Sequence, residues 1–223
     1  MPTRPPFSPE IRTSRVGSFA RRVPLLIVGA LALLVGACNK APENAPPSDA
    51  QKQQDTAKAN SVIPEESPLA KAATKGNLTE VKALLDKGAS PNVFDALGRT
   101  PLHMAAFYGH PRTAALLIAK GADVNAKDRI GMTPLHAAVL AGSVQEVDLF
   151  LANKAEIDAV ANSGVTPLHL AAATGHPQLV KILIQRGANP LNKDLTGATP
   201  LFYAVRNKDP DSIALLRQYA AKE

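Results

Sequence analysis

The sequence has one cysteine and no tryptophan among its 223 residues, and aromatic residues make up only 4% of it. A single cysteine cannot form a disulfide within the chain, and it excludes a CxxC redox or zinc motif. The motifs HExxH, GxGxxG, GxxxxGK and GxSxG do not occur either. The composition therefore gives no support for a redox enzyme, a zinc protease, a nucleotide-binding protein or a serine hydrolase.

The net charge of +6 is distributed unevenly. Residues 1–37 contain five arginines and one glutamate, which gives this segment +4 and leaves +2 for the rest of the chain. The basic pI therefore belongs mainly to the N-terminal segment, and we expect no nucleic-acid partner. The apolar fraction of 45%, rich in alanine and leucine, is typical of a globular protein and favours helices.

Residues 1–37 have the pattern of an export signal. Arg21 and Arg22 precede 15 residues without a charge, which close on the small pair Gly36 and Ala37. A bilayer requires about 20 apolar helical residues, so this run is short for a permanent anchor. We therefore predict a signal peptide over residues 1–37. The alternatives are a plain secretory signal cleaved after Ala37 and an uncleaved membrane helix.

The one cysteine, Cys38, occupies the first position after the predicted cleavage site. The stretch LVGAC that ends on it resembles the lipobox of bacterial lipoproteins. This resemblance implies that Cys38 is lipidated and attaches the protein to a membrane of the cell envelope. In Gram-negative lipoproteins, Asn39 in place of aspartate implies the outer membrane, with the protein facing the periplasm. A soluble periplasmic protein is the alternative.

Residues 38–63 contain no aromatic residue, several prolines and many polar side chains. Such a segment cannot bury enough apolar surface to offset the entropy lost on ordering, so we predict a disordered tether. About 25 residues of this kind have an end-to-end distance of about 27 Å. The tether would let the folded part stand clear of a membrane.

A 33-residue repeat begins near residue 64. A Ser/Thr-Pro-Leu triplet opens each copy, at Ser67, Thr100, Thr133, Thr166 and Thr199, and glycine recurs at Gly76, Gly109, Gly142 and Gly175. Three copies read TPLHMAA, TPLHAAV and TPLHLAA, and the end copies read SPLAKAA and TPLFYAV. This pattern resembles the TPLHxA signature of the ankyrin-repeat family.

The resemblance implies an all-α solenoid of about five repeats, each a helix-turn-helix with a β-hairpin finger. The repeats span residues 64–94, 95–127, 128–160, 161–193 and 194–223. The local chemistry agrees, because threonine followed by proline starts a helix well and glycine ends one. It predicts helices over residues 101–108 and 111–120. The altered first and last copies are expected to be caps of a monomeric stack.

All five histidines fall on repeat positions, three in TPLH (His103, His136 and His169) and two after a glycine (His110 and His176). A ladder of metal ligands is one interpretation. Equivalent residues of neighbouring repeats lie about 10 Å apart, which is too far for coordination at about 2.1 Å. The resemblance instead implies a structural role, in which each TPLH imidazole binds the helix start and the next finger. We therefore expect no metal and no cofactor.

The resemblance also implies that the concave face binds a partner protein. The predicted partner-binding residues are Leu97, Arg99, Phe107, Tyr108, Arg129, Ile130, Met132, Leu140, Val165 and Arg206. They would form an apolar patch with arginines at its rim, which is typical of protein interfaces. The alternative for Phe107 and Leu140 is a place in the core between helices.

These observations predict a non-catalytic adaptor or scaffold that holds a periplasmic or envelope protein near the membrane. An inhibitor or immunity factor for a periplasmic enzyme or toxin is the alternative within the binding class. A metal-binding or enzymatic protein is the alternative of another class. The sequence does not identify the partner, because a binding surface of this kind is defined by shape rather than by a motif.

Overall fold

A computed structural model describes residues 67–220, which form ten α-helices and no strand. Cys38, the predicted signal peptide and the predicted tether lie outside the described residues. The helices are α1 (Pro68–Thr74), α2 (Leu78–Asp86), α3 (Pro101–Tyr108), α4 (Pro111–Ala119), α5 (Pro134–Ala141), α6 (Val144–Ala152), α7 (Pro167–Thr174), α8 (Pro177–Gln185), α9 (Pro200–Asn207) and α10 (Pro210–Ala220). Each repeat contributes one consecutive pair of helices, so the predicted all-α solenoid is confirmed.

The first helix of each complete repeat starts and ends as its sequence predicts. Thr100 precedes α3 in an extended conformation, its hydroxyl accepts a hydrogen bond from the His103 amide, and proline takes the first helical position. Gly109 ends the helix with a left-handed φ of 71°, a conformation that costs glycine little. The predicted bounds of α3 are confirmed, and α4 ends one residue before its predicted end.

One apolar core runs through the whole stack. Each first helix packs against the first helix of the next repeat, from α1 through α9, and the second helices pack as α2 on α4, α4 on α6 and α8 on α10. Val147 and Val180 are fully buried, whereas their repeat equivalent Ile213 is only half-buried in the last repeat. The greater exposure at this end agrees with its predicted role as a cap.

The fingers between helix pairs are turns, so the expected β-hairpin strands are absent from residues 67–220. In the finger of the second repeat, the Asp95 amide donates to the Arg99 carbonyl at 2.9 Å and the Gly98 amide donates to the Asp95 carbonyl. The amides of Leu97 and Arg99 donate to the Asp95 carboxylate instead of to a facing strand. The side chain therefore replaces the backbone ladder that a strand requires.

The helices of residues 67–220 are short, and α10 is the longest with 11 residues. None of them is long and apolar enough to span a bilayer.

Candidate functional site

The finger tips are joined from repeat to repeat by single backbone hydrogen bonds. The Arg129 amide donates to the Leu97 carbonyl at 3.0 Å, and the Asn162 amide donates to the Ile130 carbonyl at 2.9 Å. The Leu195 amide continues the series by donating to the Ser163 carbonyl at 3.0 Å. Residues that are distant in sequence thus become neighbours along one row of tips.

A carboxylate fixes the shape of the second finger. Asp95 accepts hydrogen bonds from the Leu97 and Arg99 amides, both at 2.8 Å, and from the Arg99 guanidinium at 2.6–2.7 Å. Burial raises the pKa of Asp95, but the hydrogen bonds and charge of Arg99 outweigh burial and hold this pKa below its usual value. Arg99 is therefore held by Asp95, and its charge is partly neutralised before any partner arrives.

The last finger uses the same device with a different partner. Asp194 accepts from the Thr196 and Ala198 amides and from the Tyr203 hydroxyl at 2.6 Å. Burial raises the pKa of Tyr203 to about 12, and the adjacent Asp194 carboxylate adds to this effect. Ala161 occupies the equivalent position in the fourth repeat, so that finger lacks the carboxylate.

A cavity of about 350 Å³ lies beside the second finger. Its lining comes from the finger and from the first helices of the first two repeats: Thr74, Asp95, Ala96, Leu97, Arg99, Met104 and Tyr108. Three residues predicted to bind a partner, Leu97, Arg99 and Tyr108, therefore meet at one depression. The predicted residue Phe107 adjoins it, because its ring contacts that of Tyr108 edge-to-face with centroids 5.3 Å apart.

The predicted apolar residues differ in how much surface they present. Leu97 and Ile130 are each 54% exposed, Tyr108 is 51% exposed and Phe107 is 38% exposed. We call these four residues, together with the cavity beside Leu97, the finger surface. The predicted rim residues Arg129 and Arg206 are also exposed.

Three predicted residues lie deeper than expected. Val165 is only 7% exposed and belongs to the core, so its assignment to an accessible patch is wrong. Met132 and Leu140 are half-buried and pack against the core, which limits what they offer to a partner. The alternative that placed Leu140 between helices describes it better, whereas Phe107 remains on the surface.

The TPLH histidines link each repeat to the next finger. Nδ1 of His136 lies 2.9 Å from the Thr133 hydroxyl and accepts the Thr133 amide hydrogen at 3.2 Å. Nε2 of His136 donates to the Val165 carbonyl at 3.2 Å, one repeat further along the chain. His103 and His169 make the same contacts with the carbonyls of the following repeats, so the geometry of all three is structural.

The two histidines that follow a glycine also join repeats. Nε2 of His110 donates to the Thr74 carbonyl at 2.9 Å, and the imidazole lies so close to Gly76 that a Cβ there would be 2.5 Å from Nδ1. His176 lies over Gly142 in a similar way. Both residues sit at the start of a second helix, as the sequence predicts.

Comparison with protein families supports the same architecture. The family description "Ankyrin repeats (3 copies)" matches residues 32–128 and 135–223, which is most of the chain. The chain belongs to the ankyrin-repeat family. Ankyrin repeats form protein–protein interaction modules and are typically non-catalytic. A comparison with curated proteins finds no match to the chain.

The ankyrin stack contains exposed apolar residues that the predicted site did not include. Phe94 is 61% exposed, Leu195 is 79% exposed and Phe202 is 54% exposed. Phe202 replaces the TPLH histidine in the last repeat, where residues 67–220 provide no following finger to receive it. The change from TPLH to TPLF in the last repeat was the sequence signal for the exposure of Phe202. Within the same residues, no group of three or more histidine, cysteine or acidic residues is placed to hold a metal ion.

Proposed function

We propose that this ankyrin-repeat protein is a non-catalytic adaptor or scaffold of the bacterial cell envelope, and that its finger surface binds a partner protein. The observation that carries the proposal is the exposure of Leu97 and Tyr108 at the cavity on the second finger, together with exposed Ile130 on the tip of the next finger. Grouped apolar and aromatic side chains in contact with water are characteristic of protein-binding sites.

The finger surface has the properties that a binding hot spot requires. Tyr108 is a large amphipathic side chain, and it lies beside a depression that could receive an apolar anchor of the partner. The fingers are held by the Asp95 carboxylate and by the tip hydrogen bonds, so little ordering entropy is lost on binding. Arg129 and Arg206 supply exposed charge for orientation.

Attachment to the membrane is proposed from the sequence. Cys38 directly follows the predicted signal peptide, and residues 38–63 would link it to the repeats. Two or more acyl chains on one residue hold a protein to a bilayer, whereas one chain binds marginally. We therefore propose lipidation at Cys38 and a position in the outer membrane facing the periplasm.

The double variant Phe107→Ala, Ile130→Asp is expected to lose its partner while the stack stays folded. Both side chains are exposed, so their replacement removes contact area and adds a charge without opening the core. The measurement is affinity capture from a cell-envelope fraction, followed by titration of the retained protein. Leu78→Asp on α2 is the control, because it places a charge at an exposed apolar residue outside the finger surface. This variant should bind as the wild type does.

Unchanged capture by the double variant would move the binding site away from the finger surface. If the retained protein is an enzyme or a toxin, its activity in the complex separates the two binding hypotheses. Inhibition by the wild type and not by the double variant would favour the inhibitor or immunity factor over the adaptor.

Cys38→Ala is expected to release the protein from membranes, since lipidation requires the thiol. The measurement is fractionation of cells that express either form, with the repeat domain detected by an antibody. Cys38→Ser, which also removes the thiol, should behave in the same way. Continued membrane association of either variant would instead support an uncleaved N-terminal membrane helix.

A further inference from the structure

Glu146 is a buried carboxyl group without a hydrogen-bond partner. It lies in the first turn of α6, its side chain is 0% exposed, and neither carboxyl oxygen has a partner. Buried polar side chains are nearly always hydrogen-bonded, and a charge buried without a partner is costly. This residue therefore opposes the packing around it whenever it is ionised.

The local sequence explains why Glu146 has no partner. Ser143, Val144, Gln145 and Glu146 form an S-x-x-E pattern, in which the glutamate normally accepts the amide of the serine. Half of this capping box is present, because the Ser143 hydroxyl accepts the Glu146 amide at 3.4 Å. The Ser143 amide instead donates to the Ala138 carbonyl at 3.0 Å, which closes the end of α5. The donor that would satisfy the carboxylate is thus already used.

Glu146 differs from the other residues at its repeat position because it is both acidic and buried. The equivalent residues in the second, fourth and fifth repeats are Thr113, Leu179 and Ser212, all uncharged and at most 1% exposed. Glu80 holds the place in the first repeat, but it is exposed and accepts a hydrogen bond from the Asn77 side chain at 2.9 Å. Glu146 is therefore the buried carboxyl in a column of otherwise neutral buried residues.

None of the ion pairs found within residues 67–220 involves Glu146. The titratable or charged residues on the elements packed against α6 are Arg112 on α4, His110 before it and His136 on α5. Arg112 is exposed, the Nε2 atom of His110 is bonded to the Thr74 carbonyl, and His136 is bonded to Thr133 and Val165. The fourth repeat adds His176 and the exposed Lys181, and Asp148 on α6 itself is paired with Arg186.

The carboxyl group of Glu146 is expected to titrate near neutral pH. Burial raises the pKa of Glu146 to about 7. The Ser143 side chain and the backbone of His110, just before α4, lie near enough to lower this pKa in part, but neither completes a hydrogen bond to the carboxyl group. The folded state therefore binds this proton more tightly than the unfolded state, whose pKa is about 4.5. The stability that the folded state gains by holding the carboxyl group neutral is fully present below pH 4.5, and it is lost as the pH rises through 7.

We propose that Glu146 is a proton-operated switch at the junction of the second and third repeats, whose ionisation loosens the packing of α6 against α4. Loss of the proton places an uncompensated charge inside this junction, and outward movement of α6 is the way to hydrate it. A repeat contacts only its neighbours, so the strain falls on this junction rather than on the whole stack.

Part of the finger surface, Leu97 and Ile130, lies at the same junction. The Arg129 amide bonds the Leu97 carbonyl across the second and third repeats, and Leu97 and Ile130 stand on either side of this bond. A change in the angle between the two repeats would therefore alter the spacing of these two apolar residues. This step rests on the function proposed above, whereas the switch itself does not.

The test compares Glu146→Gln with the wild type in urea unfolding of the purified full chain at pH values from 6 to 8. The stability advantage of Glu146→Gln over the wild type should grow by about tenfold in the unfolding equilibrium constant between pH 6 and pH 8, given a folded pKa near 7. Glu146→Leu, which installs the residue of the fourth repeat, should show the same growth in its stability advantage. It replaces Glu146→Gln as the test variant if the glutamine variant folds poorly. Glu80→Gln is the matched control, and its difference from the wild type should not vary with pH.

Hydrogen exchange locates the effect. After correction for the intrinsic pH dependence of exchange, protection of the α4 and α6 amides should fall from pH 6 to pH 8 in the wild type and stay constant in Glu146→Gln. Equal pH dependence of the wild type and both Glu146 variants would overturn the proposal. Loss of protection spread evenly over all five repeats would overturn the assignment to this junction. Neither experiment requires a partner, so failure here leaves the binding hypothesis untouched.

Discussion

Phe150→Ala is expected to lower the free energy of unfolding by about 4 kcal/mol, the typical cost of removing a buried phenylalanine. Phe150 lies on α6 in the middle of the stack and is 0% exposed. The smaller side chain loses its transfer free energy and leaves a cavity that neighbouring helices fill only in part. Urea unfolding followed by far-UV circular dichroism measures the change.

Two further variants separate the cavity from the loss of an aromatic ring. Phe94→Ala makes the same substitution at a residue that is 61% exposed, and its effect should stay within about 1 kcal/mol. Phe150→Leu restores the leucine that the second, fourth and fifth repeats carry at this position, and it should cost less than about 1.5 kcal/mol. A loss below about 1 kcal/mol for Phe150→Ala would contradict the central place of this residue in the core.

The fold could be predicted from the sequence because its determinants are local and repeated. Threonine followed by proline sets the start of each first helix, and glycine sets its end, so the bounds of α3 follow from residues 100–109 alone. The absence of strands could not be predicted in this way. In the second finger the Asp95 carboxylate takes the amides of Leu97 and Arg99, but the fourth finger has Ala161 at that position and also forms a turn, so no single residue type in the sequence signals the absence.

The exposure of single side chains was harder to predict than their place in the repeat. Leu97 and Val165 both belong to fingers, yet the first is 54% exposed and the second 7%. The two residues hold different places in the finger, because Leu97 lies at the tip, whereas Val165 directly precedes the start of α7 at Thr166 and belongs to the core.

Glu146 is a residue whose burial the local sequence pattern does not predict. An S-x-x-E pattern ahead of an apolar helix predicts a glutamate that caps the helix at the surface. The signal that contradicts this prediction is the register of the repeats, since Thr113, Leu179 and Ser212 are uncharged at the same position. The register is a partial signal, because Glu80 holds the same position in the first repeat and is exposed.

His136→Ala is expected to lower the free energy of unfolding by about 3 kcal/mol, which combines lost packing with buried groups left unpaired. His136 is 0% exposed and bonds both the Thr133 start of α5 and the Val165 carbonyl of the next finger. Phe202→Ala is the matched control, because Phe202 holds the same repeat position but is 54% exposed. It should cost much less in the same denaturation experiment, and equal losses would contradict a linking role for the histidine.

The pH dependence of this variant tests the chemistry of the link. The Val165 carbonyl can only accept, so Nε2 carries the proton and Nδ1 accepts from Thr133, which leaves no place for a second proton. Burial accordingly lowers the pKa of His136 to about 4, from 6.5 in the unfolded chain. His136 should therefore contribute a loss of stability as the pH falls from 6.5 to 4, because the unfolded state binds the proton first. The slope of stability against pH in His136→Ala should differ from that of the wild type by up to about 1.4 kcal/mol per pH unit, while His103, His169 and the opposing effect of Glu146 are common to both forms. An unchanged slope would mean that the imidazole is already charged in the folded stack, and the proposed direction of both hydrogen bonds would then be wrong.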